Sequence, residues 1–329
     1  MKKFTIINLV LMGALTSLKA QSPYVYFKTI PVGDGLGWDY LAADQIHRNM
    51  YFSHGTKTLV ASMDEDKIIA TIPNTLGVHG IAFDQEMNEG FISNGRANSV
   101  TVFDLNNFNV IDTIAISGKN PDAILYDEFS KKVFAFNGRS NNVTVIDPKT
   151  MKEIKSIPLS GKPEFSVSDL NGNIYVNIED KSEITQLDTK TLAVVKSWNI
   201  SPGDEPSGLA IDRKNNVLFS VCSNKKLMVL DISSGKLIDS IAIGGGVDAV
   251  VFDPQTEMIY SSNGEGNVTI IKQHSKTTYQ VIQTLATQRG SRTMALDTKT
   301  HKIYLPAAKY EGETRKILPG SFEIHVYKN

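Results

Sequence analysis

Seven short phrases ending in aspartate recur along the chain: "LAAD" at Asp44, "IAFD" at Asp84, "ILYD" at Asp127, "SVSD" at Asp169, "LAID" at Asp212, "VVFD" at Asp253 and "MALD" at Asp297. Successive spacings are 40, 43, 42, 43, 41 and 44 residues. A period of this length marks a supersecondary unit that is copied and stacked, because one copy cannot bury its own apolar faces.

Each unit repeats the same internal order. An aromatic follows the aspartate six or seven residues later: Tyr51, Phe91, Phe134, Tyr175, Phe219, Tyr260 and Tyr304. A second aspartate comes 19 or 20 residues after the first in five units, at Asp64, Asp104, Asp147, Asp188 and Asp231, and Lys272 stands there in the sixth. Between these marks lie short β-branched runs such as "VTVID" and "VTIIK", bounded by turn signals that include Asn-Gly at Asn94, Asn137 and Asn263. No long stretch has a 3.6-residue apolar period. Each unit therefore reads as four strands, A to D, and seven such units predict an all-β fold, a seven-bladed β-propeller of four-stranded antiparallel blades.

Closure is also predicted. The seventh unit supplies strands A and B, then "SFEIHVYKN", and the chain stops one strand short. Near the start, "YVYFKTIPVG" (24–33) matches the strand D phrases "VIDTIAISG" and "LIDSIAIGG". The N-terminal strand is expected to complete the last blade, so residues 21–329 form a single domain with no open edge between first and last blades.

The phrases "NVTVIDPKT" and "SVTVFDLNN", with "SGKNPDA", "SGKPEFS" and "GDEPSG" between units, resemble the YVTN-repeat, or YncE-like, seven-bladed propellers of exported bacterial proteins. The resemblance covers the chain beyond its first twenty residues. It implies the fold and names no reaction. "GH…WD" and C-x-x-C-H are both missing, which sets aside WD40 repeats and attached haem.

The bulk properties fit an exported protein. Residues 1–20, with Lys2 and Lys3 ahead of the apolar stretch Phe4–Leu18, read as a signal peptide cleaved near Ala20. The protein is expected in the periplasm or outside the cell, with no membrane span in the mature chain. Cys222 is the lone cysteine among 329 residues, so no disulfide forms within the chain. A formal net charge of −1 gives no electrostatic reason to expect nucleic acid.

The repeat also separates scaffold from site. A residue shared by most blades serves blade geometry, whereas one that breaks the pattern at a ring position serves something else. The anchor aspartates and strand B aromatics are scaffold on this test. B–C turns and D-to-A links share the rim from which strand A enters the channel, and ligands are expected at that rim. Five residues before each anchor stand Asp39, His79, Asp122, Glu164, Ser207, Asp248 and Arg292, all polar and varied in kind. The B–C turn column holds His54, Asn94, Asn137, Ile178, Cys222, Asn263 and Ala307, with Arg96 and Arg139 beside it.

The expected ligand-binding set is Trp38, Asp39, His79, Arg96, Asp122, Arg139, Glu164 and Arg292. His79, His54 and Asp122 are the catalytic candidates, since a histidine beside a carboxylate can move a proton near neutral pH. His54, His79 and Asp39 are the candidates to hold a divalent metal, and the sequence identifies no other cofactor. Two arginines could clamp an anion and Trp38 could stack on a sugar or ring. The seventh blade's long B–C loop, 307–321, reads as a flap, with Lys309, Tyr310, Arg315 or Lys316 over the channel. No H-x-E, H-E-x-x-H or G-x-S-x-G motif points to a named hydrolase. The leading expectation is an exported, non-catalytic propeller that binds a small molecule, glycan or protein at its channel rim. The alternative is a propeller enzyme of lactonase, lyase or epimerase type using His54, His79 and carboxylates.

Overall fold

The structure, a computed structural model, describes residues 22–312, 314 and 316–329. The predicted signal peptide and Arg315 lie outside the described residues. Among the described residues, twenty-eight strands form seven four-stranded antiparallel sheets arranged in a ring, a seven-bladed β-propeller. Strand A, facing the channel, is Leu41–Asp44 in blade one. It is then Val78–Asp84, Pro121–Asp127, Pro163–Ser168, Pro206–Asp212, Val247–Asp253 and finally Ala295–Leu296 in blade seven.

The ring closes as the sequence predicts. In blade seven the order runs Ala295–Leu296, Ile303–Ala307, Glu323–Lys328 and then Val25–Pro31, with Val25 paired to Lys328 and Pro31 to Glu323. The core is a set of inter-blade layers. One apolar cluster lies between each neighbouring pair of blades, including one that joins Ile324 and Val326 of blade seven to Met50 and Phe52 of blade one. Blade-on-blade burial of this kind needs both faces of strand B to be apolar, and the seven strand B aromatics are all at most 2% exposed. Strand D, at the perimeter, is mostly exposed, with one buried residue near its end in blades one to three: Ile72, Ile114 and Ile157.

Of two repeated columns, the anchor aspartate keeps the turn-bonding duty that the sequence suggested, and the asparagine has a different one. The anchor aspartate is buried in six blades, where it accepts backbone N–H bonds from its own A–B turn, as Asp44 does from Ile46 and His47 (3.0 Å each). In blade four strand A ends one residue earlier. Ser168 takes the buried place and donates to Asp127 across the blade interface (2.6 Å), while Asp169 moves into the turn. The Asn of the Asn-Gly pairs is the buried last residue of strand B. Its Nδ2 donates to the strand C threonine of "VT": Asn94 to Thr101 (2.8 Å), Asn137 to Thr144 (3.0 Å) and Asn263 to Thr269 (3.0 Å).

Candidate functional site

In blades two to six the B–C turn hydrogen-bonds to the preceding D-to-A link: Gly95 N–H to the Gly77 carbonyl, Gly138 to Asn120, Glu179 to Lys162, Ser223 to Asp204 and Gly264 to Gly246. The two loop types therefore share one rim, as the meander requires. The polar ring column enters the channel just inside it. In blades two to six the A–B register slips at this position: between Val78 and Ile81, Pro121 and Ala123, Pro163 and Ser166, Pro206 and Leu209, and Val247 and Ala249. A bulge adds a residue on one strand and re-aims its side chain. Here it turns the polar residue toward the axis.

The bulged backbone is tied from blade to blade. Ser93 Oγ donates to the Asp122 carbonyl (2.8 Å), Asn177 Nδ2 to the Ser207 carbonyl (2.8 Å), Ser262 Oγ to the Arg292 carbonyl (2.6 Å) and Thr293 Oγ1 to the Asp39 carbonyl (2.7 Å). Neighbours in the ring are thus held by bonds from buried side chains, which fix the residues that they tie.

All seven ring residues, Asp39, His79, Asp122, Glu164, Ser207, Asp248 and Arg292, line one cavity of about 830 Å³ at the axis. His79 Nδ1 lies 2.5 Å from Asp39 Oδ2 and 3.1 Å from Asp122 Oδ1. Arg292 Nε donates to Asp248 (2.7 Å), and its Nη2 is 3.6 Å from Asp39. Lys162 pairs with Glu164 (2.6 Å) and with Glu179. Gly95 in the B–C turn allows the His79 ring its place: a Cβ there would sit 2.6 Å from Nε2.

Crowding carboxylates out of water favours their protonated forms. Burial, with the Asp122 charge adding, pushes Glu164 up to about 8, although Lys162 opposes it. Burial raises Asp122 to about 6 against the pull of His79, and Asp248 to about 6 against Arg292. For His79, burial acts downward, but the Asp39 bond and the Asp122 charge outweigh it and raise its pKa. The cavity is therefore a proton-rich mixed-charge surface, with five carboxyl groups facing His79, Lys162, Arg289 and Arg292.

The floor is aromatic. Tyr40 packs 5.1 Å from Phe165 and its hydroxyl donates to Glu164 Oε2 at 3.4 Å. Beneath it the channel continues as a second cavity of about 300 Å³ with a mostly apolar lining that includes Leu41, Val167, Leu209, Ile211, Val251 and Leu296, joined by Arg213 and Thr298. The roof comes from blade seven. Tyr310 and Ile317 form a β-bridge across the long loop, and both line the upper cavity with Thr314. Gly290 (φ +90°) admits Tyr310, whose hydroxyl would stand 2.3 Å from a Cβ at that point.

Several expected site residues lie elsewhere. His54 is fully buried inside its hairpin, stacked on Phe322 (4.2 Å between rings) with Nε2 on Asp34 (2.5 Å), and burial lowers its pKa. It does not line the cavity, so His54 and His79 form no common catalytic or metal pair. Arg96 and Arg139 are exposed and also lie outside the lining; Arg96 instead packs over Gly77. Trp38 borders the cavity, but Phe322 lies 5.2 Å from its ring and only 9% of the residue is exposed. In the flap, Lys309 and Lys316 are exposed and do not line the cavity, and Lys316 pairs with Glu311.

Sequence reasoning missed Tyr40, Lys162, Glu179 and Arg289. For Glu179 a signal existed: blade four replaces Asn-Gly by Ile178 and a 3₁₀ turn, Glu179–Lys181, that carries the carboxylate to the rim.

Fold and site together define a seven-bladed β-propeller with a closed ring of blades and a polar axial chamber built from the residues that differ between them. No protein-family model matches the chain, and no curated protein matches it. Among solved structures, a chain of hydrazine synthase from Kuenenia stuttgartiensis is similar, with 14% identity and a TM-score of 0.71, over 90% of this chain and 96% of that one. At that identity the likeness is one of fold.

Proposed function

We propose that the protein is an exported propeller that binds a small polar molecule in the upper chamber and does not transform it. The observation that carries this reading is the convergence of all seven variable ring residues on one cavity of about 830 Å³. That volume lies in the range of small-molecule sites. The roof of Tyr310 and Ile317 favours a small ligand over a protein surface. Five carboxyl groups against three fixed cations favour a ligand rich in amine or hydroxyl groups, such as a sugar or polyamine. The export part of the proposal rests on the signal-like residues 1–20 and on the resemblance to YVTN-repeat, YncE-like propellers. It is tested by N-terminal sequencing of the mature product.

The binding claim is tested by a thermal-shift screen of sugars, amines and small acids, run in parallel on Asp39→Asn. A compound that stabilises the wild type and not the variant supports it; equal shifts in both contradict it. One observation favours a second, catalytic reading. Glu164 keeps a proton near neutral pH while His79 is held between two carboxylates, and such an acid–base pairing can move protons on a substrate. Turnover of a lactone, uronate or sugar epimer that is lost in Glu164→Gln would replace the binding reading with this one.

A further inference from the structure

We propose that Asp39, His79 and Asp122 bind one divalent transition-metal cation, such as Mn²⁺ or Zn²⁺, with open coordination positions turned toward the chamber. The proposal rests on the reading of that chamber as a binding site and names the group that anchors its ligand.

The three residues occupy the same column in three consecutive blades, so the propeller geometry sets their separation. One ligating atom from each, His79 Nδ1 and one oxygen from each aspartate, lies within 4.8 Å of the other two. A first-row ion sits about 2.0–2.2 Å from nitrogen and oxygen ligands, which places neighbouring ligand atoms about 3 Å apart. The observed 2.5 and 3.1 Å from Nδ1 to the two carboxylates need only a small opening to admit it.

The hydrogen-bond count points the same way. Nδ1 carries at most one proton, yet two carboxylates face it, so one of them lacks a full donor. Other cations nearby are engaged. Lys162 is held by Glu164 and Glu179, and Arg292 Nε by Asp248. Arg292 Nη2, 3.6 Å from Asp39, also reaches toward the triad. A divalent cation would satisfy Nδ1 and both carboxylates at once. One nitrogen with two carboxylates suits Mn²⁺, Fe²⁺ or Zn²⁺, and three protein ligands leave sites for water or a ligand's oxygen or nitrogen. Gly95 is the positioning residue: its lack of a side chain lets the imidazole lie with Nδ1 turned to the aspartates.

The test is titration of chelator-treated mature protein with Mn²⁺ or Zn²⁺ alone, by calorimetry and, for Mn²⁺, by electron paramagnetic resonance. One equivalent is expected to bind. His79→Ala and the isosteric Asp122→Asn are each expected to weaken binding by about 100-fold and Gly95→Ala by about 10-fold. His274→Ala, an exposed histidine outside the chamber, is expected to change nothing. Absence of binding by both metals, or binding that survives both His79→Ala and Asp122→Asn, would overturn the proposal. If the metals fail while a compound from the small-molecule screen still binds in an Asp39-dependent way, the metal is refuted and the chamber reading stands.

Discussion

The channel's two halves are built from the same kind of strand, with all seven blades contributing above and blades one and four to seven below, yet their linings differ in chemistry. Above Tyr40 the lining is Asp39, His79, Asp122, Glu164, Ser207, Asp248 and Arg292; below it, Leu41, Val167, Leu209, Ile211, Val251 and Leu296. A propeller channel in this protein does not have to be polar to exist. The lower half shows what the scaffold does where nothing else is asked of it: it packs aliphatic side chains from neighbouring blades. The upper half clusters carboxyl groups that burial penalises, an arrangement that opposes stability and is characteristic of sites.

That contrast can be broken by substitutions, taken from the largest expected effect downward. Leu209, 1% exposed between blades four and five, is the lower half's test. Leu209→Ala should lower the unfolding free energy by about 2–5 kcal/mol in denaturant melts while leaving chamber binding intact. His54→Ala tests a residue that the pattern marks as functional and the packing marks as structural. It should cost about 1–3 kcal/mol through the lost Phe322 stack and Asp34 bond, again without loss of binding. If either variant stays folded and stops binding, the division into scaffold and chamber is wrong.

The upper half should respond in the opposite sense. Glu164 titrates near 8 in the folded protein against an ordinary value of 4.5, so the folded state keeps a proton that the unfolded chain releases. Its contribution to stability is complete below pH 4.5 and is lost as pH rises through about 8. Asp122 and Asp248 act in the same direction up to about pH 6. Melting temperatures of the wild type should therefore fall across pH 5–8 more steeply than those of Glu164→Gln; parallel slopes would contradict the assignment. The smallest effect belongs to Asp122→Asn. It should leave stability at pH 7 unchanged or raise it by up to about 1 kcal/mol, while impairing binding. A marked destabilisation would recast Asp122 as scaffold.

The sequence carried the blades because a repeat is its own alignment. The spacing of Asp44, Asp84 and Asp127 and the match of residues 24–33 to strand D phrases together specify number and closure. The ring column was legible for the same reason, since one offset from the anchor finds all seven ring residues of the cavity. The failures came where direction mattered. His54 breaks the Asn column, but that column ends strand B and turns away from the channel, so a break there is satisfied by Asp34 of the preceding link and Phe322 of blade seven. Arg96 and Arg139 each sit two residues past the same point, where the turn faces solvent. Tyr40 and Phe165 were hidden because two aromatics far apart in the chain meet only across the closed ring. Lys162 and Glu179 come together because one D-to-A link hydrogen-bonds one B–C turn.

The most direct measurement is a backbone-amide chemical-shift map of the mature protein against a fixed panel of sugars, amines, small acids, Mn²⁺ and Zn²⁺. At least one panel member should move the amides around Asp39, His79, Asp122, Glu164, Asp248 and Arg292 while leaving those of the lower channel and the opposite rim in place. A panel that leaves this ring still, or that moves residues lining the lower half instead, would contradict the account.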